Sequence, residues 1–189
     1  MRKALLFIVF ITAIPVVASA ESLHLNFAVQ TSQDIIPDNT TNYVRPEPSQ
    51  SVRYISNNGF GLGFTDVALH LSNNSGFSGR INFRALEVSY TARLLTFGVG
   101  SPIIGSFVAE SGSKKSSGRV IGVTSFVTIA LKTYDKGALL IGYHVSKLDF
   151  SYPYQNWDEY PPELKKIHRG GLRSGQNINN VMLGFQIPL

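Results

Sequence analysis

The feature that most constrains this sequence is a strictly alternating run at its C-terminal end. Between Asn179 and Leu189, apolar residues occupy every second position. The apolar series is Val181, Leu183, Phe185, Ile187 and Leu189, and the positions between carry Asn180, Met182, Gly184, Gln186 and Pro188. Because successive side chains of a strand point to opposite faces, the run predicts a β-strand with one continuously apolar face.

The first twenty residues have the three parts of an export signal. Two basic residues are followed by an apolar run from Leu5 to Ile14 and by the small-residue site Ala18-Ser19-Ala20. The apolar run is too short to cross a bilayer as a helix. We expect residues 1–20 to be removed, leaving residues 21–189 as one domain. An exported chain with this terminal strand is typical of a Gram-negative outer-membrane barrel whose last strand closes the sheet.

Composition excludes several classes of function. Cysteine is absent, so the chain has no disulfide, no thiolate metal site and no lipid-modified N-terminal cysteine. The formal charge of +5 falls to +3 when Arg2 and Lys3 are removed, because 15 basic residues then face 12 acidic ones. That balance provides no uniform basic field, and we expect no nucleic-acid partner. The histidines lie on separate predicted elements without ligand spacing, so no metal or other cofactor is expected.

Eight segments have strand character, and the connections between them alternate between long and short. The predicted strands are Leu23–Thr31, Ser51–Ser56, Phe60–Leu71, Arg80–Leu95, Ile103–Ala109, Arg119–Lys132, Ala138–Phe150 and the terminal run. Long polar connections on one side and tight turns on the other are typical of an up-and-down barrel. The sequence therefore predicts an all-β, eight-stranded antiparallel transmembrane barrel. A soluble barrel or sandwich is the alternative, since it shares the alternation.

The seventh predicted strand carries the candidate chemistry. One face holds Leu140, Gly142, His144, Ser146, Leu148 and Phe150, and the other holds Leu139, Ile141, Tyr143, Val145, Lys147 and Asp149. Because Lys147 and Asp149 are costly against lipid, we assign their face to the lumen, which places His144 and Ser146 on the lipid-facing exterior. At a spacing of two residues their Cα atoms lie about 6–7 Å apart, close enough for an imidazole to reach a hydroxyl.

An amide on the last strand is expected to complete this group. Asn177 and Asn179 share the outward parity of the terminal apolar series, and we expect them to approach His144 near the outer-leaflet boundary. Ser146 would then be a nucleophile, His144 its base, and Asn179 or Asn177 the group that orients the ring. A hydrated histidine at the membrane interface is the simpler interpretation of the same residues.

The H-x-S element and the final strand resemble those of a known enzyme family. His144-Val145-Ser146, followed by a terminal strand ending in aromatic-x-Ile-Pro-aliphatic, looks like the lipid A 3-O-deacylases of the PagL type. The resemblance covers Arg119–Leu189, and the earlier strands only in layout. It implies an outer-membrane hydrolase that removes an ester-linked acyl chain from lipid A, with His144 as base and Ser146 as nucleophile. The family's acidic residue falls on Asn179 here, and Lys147 replaces its asparagine.

A non-enzymatic barrel with a structural or surface-interaction role is the alternative function. Such a barrel would act through its connections. Basic residues that suit the phosphates of lipopolysaccharide are clustered there. These are Lys114, Lys115 and Arg119, and Lys165, Lys166, His168, Arg169 and Arg173. Aromatic residues near the second group predict an interfacial girdle or a packed cap: Tyr152, Tyr154, Trp157 and Tyr160. A porin is not expected, because side chains fill the lumen of an eight-stranded barrel.

Overall fold

The computed structural model describes residues 21–33, 42–73, 77–111, 114–132, 137–151 and 176–189. All regular elements in these residues are β-strands. The same residues contain no helix that is long and apolar enough to cross a membrane. The strands are β1 (Ser22–Gln33), β2 (Asn42–Pro46), β3 (Ser49–Ile55), β4 (Phe60–Asn73), β5 (Phe77–Ala92), β6 (Leu95–Ser111), β7 (Lys114–Lys132), β8 (Ala138–Ser151) and β9 (Gln176–Pro188). The expected signal segment, residues 1–20, lies outside the described residues.

The strands form one antiparallel sheet that closes on itself. β1 pairs with β9 and with β3, and β4 pairs with β5 to complete the circle. β2 and β3 are two parts of one wall, since both pair with β4 and only Glu47 and Pro48 separate them. The predicted eight-stranded up-and-down barrel is therefore confirmed. Closure leaves no open sheet edge, as a membrane-spanning sheet requires.

The outer surface of the barrel is an apolar belt. Large apolar side chains are exposed on each of its eight walls, for example Phe27, Val52, Phe64, Val88, Val99, Val123, Ile141 and Leu183. On β9 the outward series is the predicted one, with Val181, Leu183, Phe185 and Ile187 exposed and Met182 buried. A continuous apolar surface of this extent is unfavourable in water and suits lipid. The structure is that of the transmembrane barrel and not of the soluble alternative.

One predicted turn is misplaced. The sequence predicts a turn at Gly98–Pro102, but the chain turns at Arg93 and Leu94, where Arg93 adopts a positive φ of 56°. β6 is continuous from Leu95 to Ser111, so the glycines of the predicted turn lie inside a strand and serve packing. A Cβ added to Gly98 would lie 2.4 Å from the ring of Phe126, which fills the lumen against it. Glycine here makes room for a large side chain opposite.

The polar connections are shorter than the sequence suggests, because the strands continue past the apolar belt. β4 ends at Asn73 and β5 begins at Phe77, inside the predicted loop 72–79. β6 and β7 likewise extend into the predicted loop 110–118. The polar ends of these strands extend beyond the bilayer. A charged side chain there can face outward without contacting lipid, so it does not have to point into the lumen. Most of the expected long loop 151–176 lies outside the described residues.

The lumen is filled in two layers. In the half away from the chain termini the buried side chains are mostly apolar, and they include Val67, Leu69, Ile81, Phe83, Phe107, Val120, Leu148 and Ile178. Near mid-height the buried side chains are mostly polar or charged, and they include Asn26, Arg53, Glu87 and His144. The polar layer brings together the candidate chemistry.

We expect Gly98→Ala to destabilise the barrel. Its Cβ would meet the Phe126 ring at 2.4 Å and the backbone oxygen of Val88 at 2.6 Å, and backbone cannot move aside cheaply. The cost should be about 1–3 kcal/mol, as for other overpacked sites. Urea unfolding in detergent, followed by the mobility shift of the unfolded band on gels, measures it. Ser125→Ala on the exposed face of β7 is the control and should change stability by less than about 0.5 kcal/mol.

Candidate functional site

A buried arginine occupies the middle of the lumen. Arg53 projects from β3, and its side chain is 1% exposed. The guanidinium donates to Glu87 Oε2 at 2.5 Å and to the hydroxyls of Thr65 and Ser51 at 3.1 Å each. Its Cζ lies 3.6 Å from the centroid of the Phe126 ring, a cation–π geometry. The planar group is thus held at its edge by hydrogen bonds and on its face by an aromatic ring.

The carboxylate of Glu87, on β5, is the hub of the network. Oε2 accepts from Arg53 and from the Thr65 hydroxyl at 2.6 Å. Oε1 accepts from the Thr124 hydroxyl and from His144 Nε2, both at 2.9 Å. A buried carboxylate is tolerated only when it is paired and hydrogen-bonded, and four donors satisfy this requirement. The charges of Arg53 and Glu87 compensate each other inside the barrel.

His144 continues the network to Ser146. An ionised carboxylate only accepts hydrogen bonds, so the bond to Glu87 places a proton on His144 Nε2. In the neutral ring Nδ1 is then the acceptor, and it lies 3.5 Å from Ser146 Oγ. Hydroxyl, imidazole and carboxylate therefore form a chain running from β8 to β5. The order is that of a serine hydrolase, but the whole chain lies within the protein.

His144 and Ser146 face the lumen, so their predicted lipid-facing orientation is wrong. Both are 0% exposed, whereas Tyr143 and Lys147 of the opposite face are exposed. The prediction failed because Lys147 does not need the lumen: it lies at the margin of the apolar belt, between Val123 and Asn177, where a long lysine side chain can extend its ammonium group to the headgroup level. The lumen in turn accepts apolar side chains such as Leu148, which the sequence argument had turned toward lipid.

The predicted group of His144, Ser146 and Asn179 does not assemble. In the antiparallel register His144 pairs with Asn180, and Asn179 pairs with Val145. Partners in register share a face of the sheet, so Asn179 lies on the outer side of the wall and His144 on the inner side. Asn177, opposite Lys147, also faces outward. Catalysis by these residues stays a prediction, but Asn179 is not the group that orients the ring.

Sequence reasoning missed the residues that do hold His144. Glu87 lies on a face of β5 with Ile81, Phe83 and Ala85, all buried, and a lone carboxylate in such a series was the available signal. Arg53 similarly alternates with the exposed Val52 and Tyr54. Neither signal names a partner, because Arg53 and Glu87 meet across Gly63 on β4 and His144 reaches Glu87 only across the closed barrel.

Glycines give the large charged side chains their space. A Cβ on Gly63 would lie 2.2 Å from Arg53 Cγ, and one on Gly100 would lie 2.5 Å from Glu87 Cγ. The glycine-containing start of β4 therefore faces the buried arginine. The gap that remains beside His144, lined by Asn26, Ser51 and other residues, does not admit a water-sized sphere.

Other predicted features are only partly described. No group of three or more histidine and acidic side chains suited to a metal occurs within the ranges that the structure describes. Lys115 is exposed and paired with Glu110 at 2.8 Å, and Arg119 is exposed on β7. The cluster from Lys165 to Arg173 and the aromatic residues from Tyr152 to Tyr160 lie outside the described residues.

We expect the buried ion pair to be strongly coupled. Glu87→Gln leaves the Arg53 charge uncompensated in the lumen and should cost about 3–5 kcal/mol of unfolding free energy. Adding Arg53→Met should recover a large part of that loss, because the uncompensated charge disappears. Urea unfolding of the single and double variants measures the coupling energy.

Asp66→Asn provides the matched control. Asp66 and Arg84 also form a carboxylate–arginine pair on adjacent strands, at 2.7 Å, but their side chains are 38% and 52% exposed. An exposed pair contributes about 0–1 kcal/mol, so this variant should be nearly neutral. Equal losses for Glu87→Gln and Asp66→Asn, or simple additivity in the double variant, would contradict the network.

Comparison with known proteins adds little beyond architecture. No protein-family model and no curated protein matches this chain. Among solved structures, Neisserial surface protein A (NspA) is similar, with 11% identity, 90% of this chain and 98% of that chain covered, and a TM-score of 0.42. Outer membrane protein OprG from Pseudomonas aeruginosa is similar at 10% identity, 91% and 97% coverage, and a TM-score of 0.43. Similarity at this level carries no argument about activity, and the resemblance to lipid A deacylases stays unconfirmed.

Proposed function

We propose that this protein is a non-enzymatic, non-conducting outer-membrane barrel that acts through its outer surface. The observation that carries the proposal is the filled lumen, with Arg53, Glu87 and His144 hydrogen-bonded to one another and to hydroxyl groups at its centre and an apolar layer beyond them. Groups that are satisfied by one another and closed off from solvent stabilise a fold. They offer no route for a substrate or an ion.

The location in the outer membrane follows from two properties. The apolar belt requires a bilayer around the closed barrel. The expected export signal would direct the chain across the inner membrane, and outer membranes are where barrels of this kind are inserted. The tight turns at Asn57–Gly59 and Arg93–Leu94 lie at the same end as Ser22 and Pro188, so that end is periplasmic.

The first test is electrical. The purified barrel, inserted in a planar bilayer, should give no steady ion conductance, because the Arg53–Glu87 pair and the apolar layer block the lumen. A porin reconstituted in the same bilayer is the positive control. Reproducible, long-lived conductance steps for this barrel would contradict the proposal.

A second candidate function is acyl-ester hydrolysis of lipid A. The observation that favours it is the chain Ser146–His144–Glu87, which has the order of a nucleophile, a base and an orienting acid. Two observations weigh against it. Ser146 and His144 are fully buried, and the carboxylate is already occupied by Arg53. A lipid ester would have to enter the lumen to meet this serine.

Mass spectrometry of lipid A decides between the two candidates. In Gram-negative cells lacking a lipid A deacylase, expression of the wild-type chain should leave the lipid A mass unchanged. Cells expressing Ser146→Ala at the same level should give the same spectrum. Loss of one hydroxyacyl chain with the wild type, restored by Ser146→Ala, would establish the hydrolase and overturn the proposal.

A further inference from the structure

At the margin of the apolar belt away from the termini, and above it, the exterior carries a polar band that we call the outer rim. The basic residues whose exposed side chains the structure describes there are Arg80, Arg84, Lys115, Arg119 and Lys147. Three of them are neutralised by acids: Arg80 by Glu47 at 3.6 Å, Arg84 by Asp66 at 2.7 Å and Lys115 by Glu110 at 2.8 Å. Most of the rim is therefore internally compensated.

The sector formed by β7 and β8 is different. Arg119 and Lys147 are exposed there, and neither has an ion-pair partner among the residues that the structure describes. Arg119 pairs in register with Ser151, whereas Lys147 pairs with Val123. Val123 lies four residues from Arg119 on β7, so Arg119 and Lys147 are about 13 Å apart along the strands, at roughly 3.3 Å per residue. Two anions of one ligand, held well apart, would match them better than a single anion.

A carboxylate lies between the two cations. Asp149, opposite Ile121, is half-buried, and its Oδ1 is buried without a hydrogen-bond partner. It reduces the net charge of the sector to +1. A ligand that carries hydroxyl or amide N–H groups between its two anions would satisfy this oxygen. Inorganic phosphate has no such spacing and no such donors.

The wall directly below the sector is apolar. Val127 and Ile129 on β7, paired in register with Tyr143 and Ile141 on β8, are exposed at the lipid-facing surface below Lys147. The ligand therefore meets cations at its head and hydrocarbon-compatible side chains at its tail, which is the requirement for a lipid. The sector lies at the end opposite the periplasmic turns, and so in the outer leaflet.

We infer that Arg119 and Lys147 bind the two phosphates of a diphosphorylated glycolipid of the outer leaflet, the lipid A portion of lipopolysaccharide. Asp149 accepts a hydrogen bond from the sugar or amide region, and the acyl chains lie along Val127, Ile129 and Tyr143 below Lys147. A glycerophospholipid has one phosphate and would engage one cation only. The inference rests on the outer-membrane orientation proposed above, and extends it to a specific lipid site.

Titration of the folded full-length barrel in detergent micelles tests the site, with native mass spectrometry reporting bound lipid. Diphosphoryl lipid A is compared with its monophosphoryl and fully dephosphorylated forms and with phosphatidylglycerol. Wild-type affinity should fall roughly tenfold for each phosphate removed, the usual effect of losing one charge-assisted contact. Phosphatidylglycerol should bind no better than the monophosphoryl form.

Variants test whether lipid A binds at the β7–β8 sector. Arg119→Gln and Lys147→Gln should each raise the Kd for diphosphoryl lipid A roughly tenfold, and each should lose sensitivity to one phosphate. Arg80→Gln is the control, because Arg80 is also exposed on the same rim but is paired with Glu47. Its Kd should stay within about twofold of wild type.

Three results would overturn the inference. They are an unchanged Kd in both β7–β8 variants, an equal loss in Arg80→Gln, and equal binding of the dephosphorylated lipid. Binding to lipid A is independent of conductance and of ester hydrolysis. A failure here therefore leaves the proposed non-enzymatic barrel standing, and a conducting or hydrolytic barrel could still bind the lipid.

Discussion

The buried pair of Arg53 and Glu87 is the interaction on which the interior depends. Each charge would be unacceptable alone in a narrow lumen, and each is made tolerable by the other and by hydroxyl groups on neighbouring strands. The network links β1, β3, β4, β5, β7 and β8, since Asn26 also donates to Ser51 at 3.1 Å. It forms only when the sheet is closed and in register. Such a network specifies one register, because a slip of one residue would turn the charges toward lipid.

The bilayer determines which side chains the exterior can carry. The two candidate functions use different sides of the barrel wall, the lumen for one and the outer surface for the other. Inside, the serine–histidine–carboxylate chain is sealed by its own hydrogen bonds. Outside, the wall is mostly apolar up to the outer rim, where three of the five described basic side chains are paired with acids. Arg119 and Lys147 are left without described partners at the place where lipid headgroups lie. We therefore propose that other molecules meet this barrel at its outer surface, through recognition of charge.

The strands were largely predictable, and the faces of one decisive strand were not. Alternation located β4, β8 and β9 nearly to their ends, because apolar and polar side chains alternate there in the sequence itself. It failed at β6, where Gly98 and Gly100 resemble a turn but provide space for Phe126 and Glu87. For β8 both faces mix apolar and polar residues. The choice between them required the height of Lys147 relative to the membrane, which a sequence does not state.

The sequence by itself determined the closed barrel, because period-two alternation over eight segments with an apolar outer series allows few other arrangements. Only the tertiary structure decided the site. Arg53, Glu87 and His144 are far apart along the chain. Arg53 and Glu87 meet because β3 and β5 flank β4 in register, and His144 reaches Glu87 because closing the sheet brings β8 and β5 together across the lumen. The local sequence pattern indicates which face of the sheet a side chain can occupy. The partner it meets across the lumen depends on register and barrel closure, which are properties of the whole chain.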